Sequence, residues 1–207
     1  MKVLLINGSP HADGCTYTAL REVEKTLNKQ GVDTHIYHIG KQPVWGCVSC
    51  LTCNKTGVCA FGDDPANTII KLMKEADGVV IGTPVYYASI NGALGALLDR
   101  VFFAAGSQFW YKPAAGIVSC RRGGAGSAFD RLNKYFTISG MPVVSSQYWN
   151  GVHGMTPEEV REDIEGLQIM RTLGINMAWM LKNIAAGKES VPLPNQEEWT
   201  PTNFVRQ

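Results

Sequence analysis

No apolar run in this 207-residue chain approaches the ~20 residues that span a bilayer as a helix. Charge of one sign is never in excess. Nineteen Lys and Arg stand against 18 Asp and Glu, a formal net charge of +1. Bulk electrostatics therefore offers nothing to attract nucleic acid or an anionic membrane surface. The four histidines, His11, His35, His38 and His153, have no metal-ligand spacing. Two familiar phosphate motifs are missing as well. There is no G-x-x-x-x-G-K-[ST] and no G-x-G-x-x-G in the strand–loop–helix that opens the chain, so neither a triphosphate P-loop nor a dinucleotide fingerprint stands there. The start, Met1 to Ile6, resembles a signal peptide for a few residues, but Asn7-Gly8-Ser9-Pro10 interrupts it before an adequate apolar stretch. Internal repeats and low-complexity segments are absent too. These absences predict a cytoplasmic protein. Its six cysteines then read as reduced thiols, metal ligands or redox groups rather than structural disulfides.

What is present is the composition of an ordinary globular chain, 45% hydrophobic and 18% charged, of a size that fits one domain over residues 1–207. Apolar runs at Val3–Ile6, Thr34–His38, Gly78–Gly82 and Ala114–Cys120 predict strands, the second more edge-like because its apolar and polar positions alternate. A fifth strand is expected at Met141–Ser146. Helical periodicity predicts helices over Thr16–Gln30, closed by Gly31, and over Ala66–Ala76, Gly92–Phe103 and Ala125–Ser139. A long helix is expected over Pro157–Asn183, with Thr156 as its cap and Gly166 and Gly174 as points of weakness. The tail from Lys188 reads as a surface segment. Alternating strands and helices with short loops predict an α/β fold, a doubly wound parallel five-stranded sheet with helices on both faces. In such a sheet the ligand sits beyond the carboxyl ends of the strands.

Three loops should meet there. Asn7–Thr16 joins a strand to a helix N-terminus, where free amides and the helix dipole favour an anion, with Ser9 and Thr16 adding hydroxyl donors and His11 close by. Thr83–Asn91 carries Pro84, Val85, Tyr86 and Tyr87, which taken alone read first as packing against a neighbouring loop or subunit and second as a surface for a planar ring. Ser119–Gly126 combines Arg121 and Arg122 with glycines that allow close backbone approach. Cys15 falls near a helix N-terminus, which predicts a lowered thiol pKa, while Cys120 ends a strand; neither has a His–Asp partner. His153 reads as a loop residue.

Four of the six cysteines crowd into Cys47-x2-Cys50-x2-Cys53-x5-Cys59, inside an insertion at about residues 40–65. Such steps let several thiolates face one centre. The pattern suits an iron–sulfur cluster or a tetrahedral zinc, with redox thiols or small buried side chains as the other readings.

The three loops together resemble the NADPH-dependent FMN reductase branch of the flavodoxin-like flavoproteins, over about residues 1–150. The resemblance rests on Gly8-Ser9-Pro10-His11 with Cys15-Thr16, on Thr83-Pro84-Val85-Tyr86-Tyr87, and on Ser119–Gly126. It implies a flavodoxin-like sheet and an FMN-dependent oxidoreductase using NAD(P)H, with a small-molecule or protein electron acceptor. It places Ser9, His11, Cys15 and Thr16 on the phosphate side, Pro84, Val85, Tyr86 and Tyr87 along the ring, and Ser119, Arg121 and Gly124 at the ring's edge. No side chain is required as a catalytic acid or base. Two departures weaken the phosphate side: the family often has Arg at the position of His11 and Asn at that of Cys15. The cysteine spacing resembles iron–sulfur flavoproteins of the same family. That implies a [4Fe–4S] cluster on Cys47, Cys50, Cys53 and Cys59, passing electrons to or from FMN across a subunit interface in a homodimer or homotetramer.

Overall fold

The fold was obtained as a computed structural model that describes residues 1–198, 200 and 202. Its elements run β1 (Lys2–Asn7), α1 (Cys15–Lys29), β2 (Asp33–His38), α2 (Cys53–Thr56), α3 (Ala66–Glu75), β3 (Gly78–Pro84), α4 (Gly92–Ala105), β4 (Ala114–Cys120), α5 (Ala125–Ile138), β5 (Gly151–His153), α6 (Pro157–Glu162) and α7 (Ile164–Gly187). A 3-10 turn, Gly106–Phe109, follows α4. The strands form one five-stranded sheet in the order β2-β1-β3-β4-β5, and every pairing is parallel. This is the flavodoxin-like α/β arrangement, with the order reversing between β1 and β3.

Side chains alternate across the sheet, so each strand feeds two cores. Leu4, Ile6, Val79, Ile81 and Val118 face α3, α4 and α5, where Ile69, Leu97, Val101, Leu132 and Phe136 close the layer. Val3, Leu5, Val80, Ala115 and Ile117 face α1 and α7 through Leu20, Val23, Met170, Leu173 and Met177. The two-sided burial explains why β1, β3 and β4 are continuous apolar runs, whereas β2, at the sheet edge, is only partly buried.

Two elements differ from the pattern in the sequence. The fifth strand is Gly151–His153, not Met141–Ser146, which makes only a single bridge through Val143 to Ala114. Val144 is buried against the core without extending the ladder, and the short strand is held by β4 through Val118 to Cys120. His153 therefore lies in a strand rather than a loop, and its backbone N–H donates to Asp163 at 2.6 Å. The C-terminal helix is also two helices. The break is at Asp163, whose carboxylate caps α7 by accepting from the Gly166 N–H at 2.8 Å. Gly166 and Gly174 lie inside α7 without interrupting it.

Candidate functional site

The loops after β1, β3 and β4 leave the same rim of the sheet and surround a cavity of about 860 Å³. That is within the range of ~300–1,000 Å³ typical of small-ligand sites.

The β1–α1 loop is shaped by Asn7, the last residue of β1. Its buried amide donates to the carbonyls of His11 (3.3 Å) and Ala12 (3.1 Å), and its oxygen accepts from the Ser9 N–H at 3.1 Å. The Ser9 hydroxyl in turn accepts from the His11 N–H at 3.1 Å, and the His38 ring nitrogen Nε2 lies 2.8 Å from the Ser9 carbonyl. Gly8 crosses directly over β3, donating to the Gly82 carbonyl at 2.8 Å; a Cβ there would stand 2.5 Å from Leu94 and 2.7 Å from that carbonyl. The loop then enters α1 through Gly14, which offers no side-chain cap to the first-turn amides. By contrast, α4, α6 and α7 are each closed by a side chain, Asn91, Thr156 and Asp163 respectively. An uncapped helix N-terminus pointed into a cavity is the arrangement that binds anions. Thr16, 1% exposed, shares a 2.8 Å hydroxyl–hydroxyl hydrogen bond with Ser119, joining the first loop to the third.

The β3–α4 loop folds back as a two-residue hairpin. Tyr86 and Ser89 exchange 2.9 Å backbone hydrogen bonds around Tyr87 and Ala88, both left-handed at φ 49° and 58°. Neither residue is a glycine, so the turn stores strain at the cavity mouth. The hairpin sends Tyr86 to the cavity and Tyr87 fully into solvent. Behind it lies Gly124 at φ 82°, where a Cβ would come within 2.8 Å of the Ala88 Cα. Gly124 thus lets the second and third loops touch, and it opens α5 without a side-chain cap.

Of the sequence-predicted residues, Ser9, His11, Cys15, Thr16, Pro84, Val85, Tyr86, Ser119 and Arg121 line this one cavity. Tyr87 and Gly124 do not: the hairpin turns the first outward, and the second packs behind the loop. The cavity wall also includes residues that sequence reasoning missed, namely His38, Lys41 and the Gly154–Pro157 segment before α6. His38 carried a signal, being the carboxyl-terminal residue of a strand beside β1. The segment before α6 carried none, because β5 was expected elsewhere.

Cys15 and Cys120 both reach the cavity, but the expected lowering of the Cys15 thiol pKa does not occur. Burial pushes it up, and the carboxylates of Glu159 and Glu158 add to the rise against the lowering effect of its own backbone N–H. Burial also raises Cys120, with Asp163 adding to it.

The cysteine segment is a separate region. Apart from α2 it is irregular, with Ser49 and Leu51 left-handed. Cys47, Cys50, Cys53 and Cys59 all line one small cavity of about 20 Å³, walled by Phe61, Arg100 and Phe103. Cys47 and Cys50 are exposed, Cys53 and Cys59 half-buried, and all four are free thiols. Asn67 clamps Cys59 by accepting from its N–H (2.8 Å) and donating to its carbonyl (3.0 Å). Hydrogen bonding by Thr52 lowers the Cys50 thiol pKa. Among the described residues, no three His, Cys, Asp or Glu side chains stand in metal-ligating geometry. A volume of about 20 Å³ holds roughly one water. Four thiols around one cavity fit a thiolate-bound centre in the chemistry of the donor set.

Such a sheet and rim define a flavodoxin-like α/β protein. Solved structures agree on the fold: an archaeal flavodoxin superposes with a TM-score of 0.59 at 16% identity, over 88% of this chain and 99% of its own. The NAD(P)H:(acceptor) oxidoreductase of Paracoccus denitrificans gives 0.65 at 18%, over 88% and 97%. Residues 1–155 match the NADPH-dependent FMN reductase family, and the chain belongs to it. By class it is an FMN-dependent oxidoreductase. It is similar to an iron–sulfur flavoprotein of Methanocaldococcus jannaschii, 31% identical over 89% of this chain and 99% of the relative. It also resembles one from Methanosarcina thermophila, 25% identical over 91% and 100%. An FMN reductase (NADPH) of Escherichia coli is 32% identical over 48% of this chain and 47% of that protein. Among the described residues no helix is long and apolar enough to cross a membrane.

Proposed function

We propose that the chain is an iron–sulfur flavoprotein: the rim cavity would hold FMN and Cys47, Cys50, Cys53 and Cys59 would hold a centre, the two supplying electron-transfer chemistry with NAD(P)H or a reduced protein as donor. The observation that carries the flavin half is the uncapped N-terminus of α1 opening into a cavity of about 860 Å³ beside buried Ser9, Thr16 and Ser119. In this reading the first-turn amides and the Ser9 hydroxyl hold the phosphate, with His11 at its exposed side. Pro84, Val85 and Tyr86 wall the ring, and Arg121 stands where negative charge gathers at its edge. When bound, FMN would supply the one- and two-electron chemistry. The protein binds and orients the flavin, and the half-exposed Tyr86 is a contact that a docking nicotinamide or acceptor would meet.

The cysteine half rests on the gathering of all four thiols at one cavity and on the similarity to iron–sulfur flavoproteins. The two cavities share no lining residue, which favours a route that includes a second copy of the chain, in a homodimer or homotetramer. Anaerobic purification tests both halves. A flavin spectrum with a broad brown shoulder, together with iron and acid-labile sulfide, is the expected result. Zinc in place of iron rejects the electron-relay half. A colourless protein that does not quench FMN fluorescence rejects the whole.

A further inference from the structure

Among the described residues Arg100 is the largest fully buried side chain, 2% exposed on α4 with Leu97, Leu98 and Val101. A guanidinium in such a place must find partners for its N–H groups or destabilise the fold. Among the described residues, every hydrogen-bond partner it has belongs to the cysteine segment. Nη1 pairs with the Asp64 carboxylate and donates to the Trp45 carbonyl at 3.3 Å. Nη2 donates to the Phe61 carbonyl at 2.9 Å, and the guanidinium lies 5.4 Å from the Phe61 ring centre. Nε donates to the Cys59 sulfur at 3.1 Å. One side chain thus holds the segment before Cys47, the segment after Cys59, and Cys59 itself.

We propose that Arg100 is the positioning residue of the cysteine centre: it anchors Cys59 inward as the fixed ligand and places a permanent positive charge against its sulfur. The proposal rests on reading the four cysteines as ligands of one centre. A merely structural ion pair would need Asp64 and the two carbonyls, but not a donor spent on sulfur. Hydrogen bonds and positive charge at ligand sulfur favour the more negative, reduced form of an iron–sulfur centre, so the same contact that positions Cys59 also raises the reduction potential. A lysine keeps the charge but not the planar fork that reaches four acceptors at once.

The test begins with reduced, metal-free protein, briefly treated with iodoacetamide at high pH, where the thiols are ionised and burial rather than thiolate fraction sets the rate, and mapped by peptide mass spectrometry. In the parent, Cys59 reacts more slowly than Cys47 and Cys50, because it is held inward. Arg100→Gln accelerates Cys59 about tenfold relative to Cys47, in keeping with the loss of a hydrogen bond from a charged donor. Asp64→Asn keeps Arg100 but removes its counter-ion, and accelerates Cys59 less. Quenching of FMN fluorescence reports the fold independently, since none of these residues lines the rim cavity; should Arg100→Gln lose it, Asp64→Asn decides the question. After anaerobic loading with iron and sulfide, the midpoint potential moves negative in Arg100→Gln and by a smaller amount in Arg100→Lys. Unchanged Cys59 alkylation in Arg100→Gln, or in Asp64→Asn where that variant decides, overturns the proposal. So does faster alkylation with an unchanged potential, which would make Arg100 a staple and nothing more. A parent that binds no iron rejects the reading of the cysteines as a centre, and the alkylation comparison still decides whether Arg100 positions Cys59.

Discussion

The rim cavity and the cysteine segment solve the same problem, presenting several groups to one ligand, by opposite means. At the rim, each loop departs from a strand buried on both faces and ends at or near a helix N-terminus, so regular structure places the groups before any ligand arrives. The donors proposed for the phosphate there are largely backbone amides of the first turn of α1. The cysteine segment has only the single turn of α2 and is held from below by two side chains, Arg100 and Asn67. Its donors are side chains, and half of them face solvent. The difference teaches that a preformed site can be built from hydrogen-bonded backbone, whereas a soft-donor site can be left loose and held by a few side chains that converge around Cys59. Helix α4 touches both regions: Asn91 at its start bonds to Thr83 of the rim, and Arg100 lies nine residues on, about 14 Å along the axis at 1.5 Å per residue.

The sharpest way to break the comparison is Cys50→Ser with Cys53→Ser. Iron binding is expected to vanish while FMN quenching persists; loss of both, measured on one preparation, would show that the regions are not separable. Next in size is Gly8→Ala, which forces a Cβ into Leu94 and the Gly82 carbonyl. Overpacking of this kind destabilises by about 1–3 kcal/mol, read as a lower midpoint in urea, and it should weaken FMN binding because the loop shifts. Thr16→Val then removes the buried hydrogen bond to Ser119 and is expected to weaken FMN binding about tenfold in a fluorescence titration, the order of a lost buried hydrogen bond.

A smaller effect in the other direction is expected from His11→Arg. A permanent charge beside the α1 N-terminus should tighten FMN binding a few-fold at low salt, and the gain should shrink as ionic strength rises. The smallest effect is in thiol chemistry. Cys15 and Cys120 at the rim have raised pKa values, so alkylation of each should set in only above the ordinary thiol range. Cys50 is lowered, keeps its thiolate to more acidic pH, and should react before Cys15 and Cys120 as pH rises in metal-free protein. Mass-spectrometric mapping across pH checks the order, and a reversed order would contradict the assigned environments.

Much of the fold was legible because two-sided burial writes itself as apolar runs. Val3–Ile6, Gly78–Gly82 and Ala114–Cys120 stand in the sheet where periodicity predicts, and β2 is the edge strand its alternation suggests. The fifth strand was not legible. Met141–Val144 is as apolar as a strand but buries only Met141 and Val144 from an irregular path, while Gly151–His153 is too short to show a period. The break at Asp163 was hidden for a related reason: an Asp inside a helical pattern looks like a surface residue until it is seen capping the next helix. At the site, nine of the eleven proposed flavin-side residues line the cavity, and the two exceptions follow from a hairpin whose left-handed residues, Tyr87 and Ala88, are not the glycines that announce such turns. Asn7 escaped notice because its role is to hold backbone, and Arg100 because a lone arginine in a helix is usually solvated.

Sequence alone determined the alternation of strands and helices, the glycine and hydroxyl chemistry of the loops, and the cysteine spacing, because these are local properties set by neighbours along the chain. Only the tertiary structure decided that Thr16 meets Ser119, that burial and two carboxylates raise Cys15, and that Arg100 lies under Cys59. Such contacts join residues 41 to 144 positions apart. Their energies depend on desolvation and distance, quantities that exist only once the chain has closed on itself.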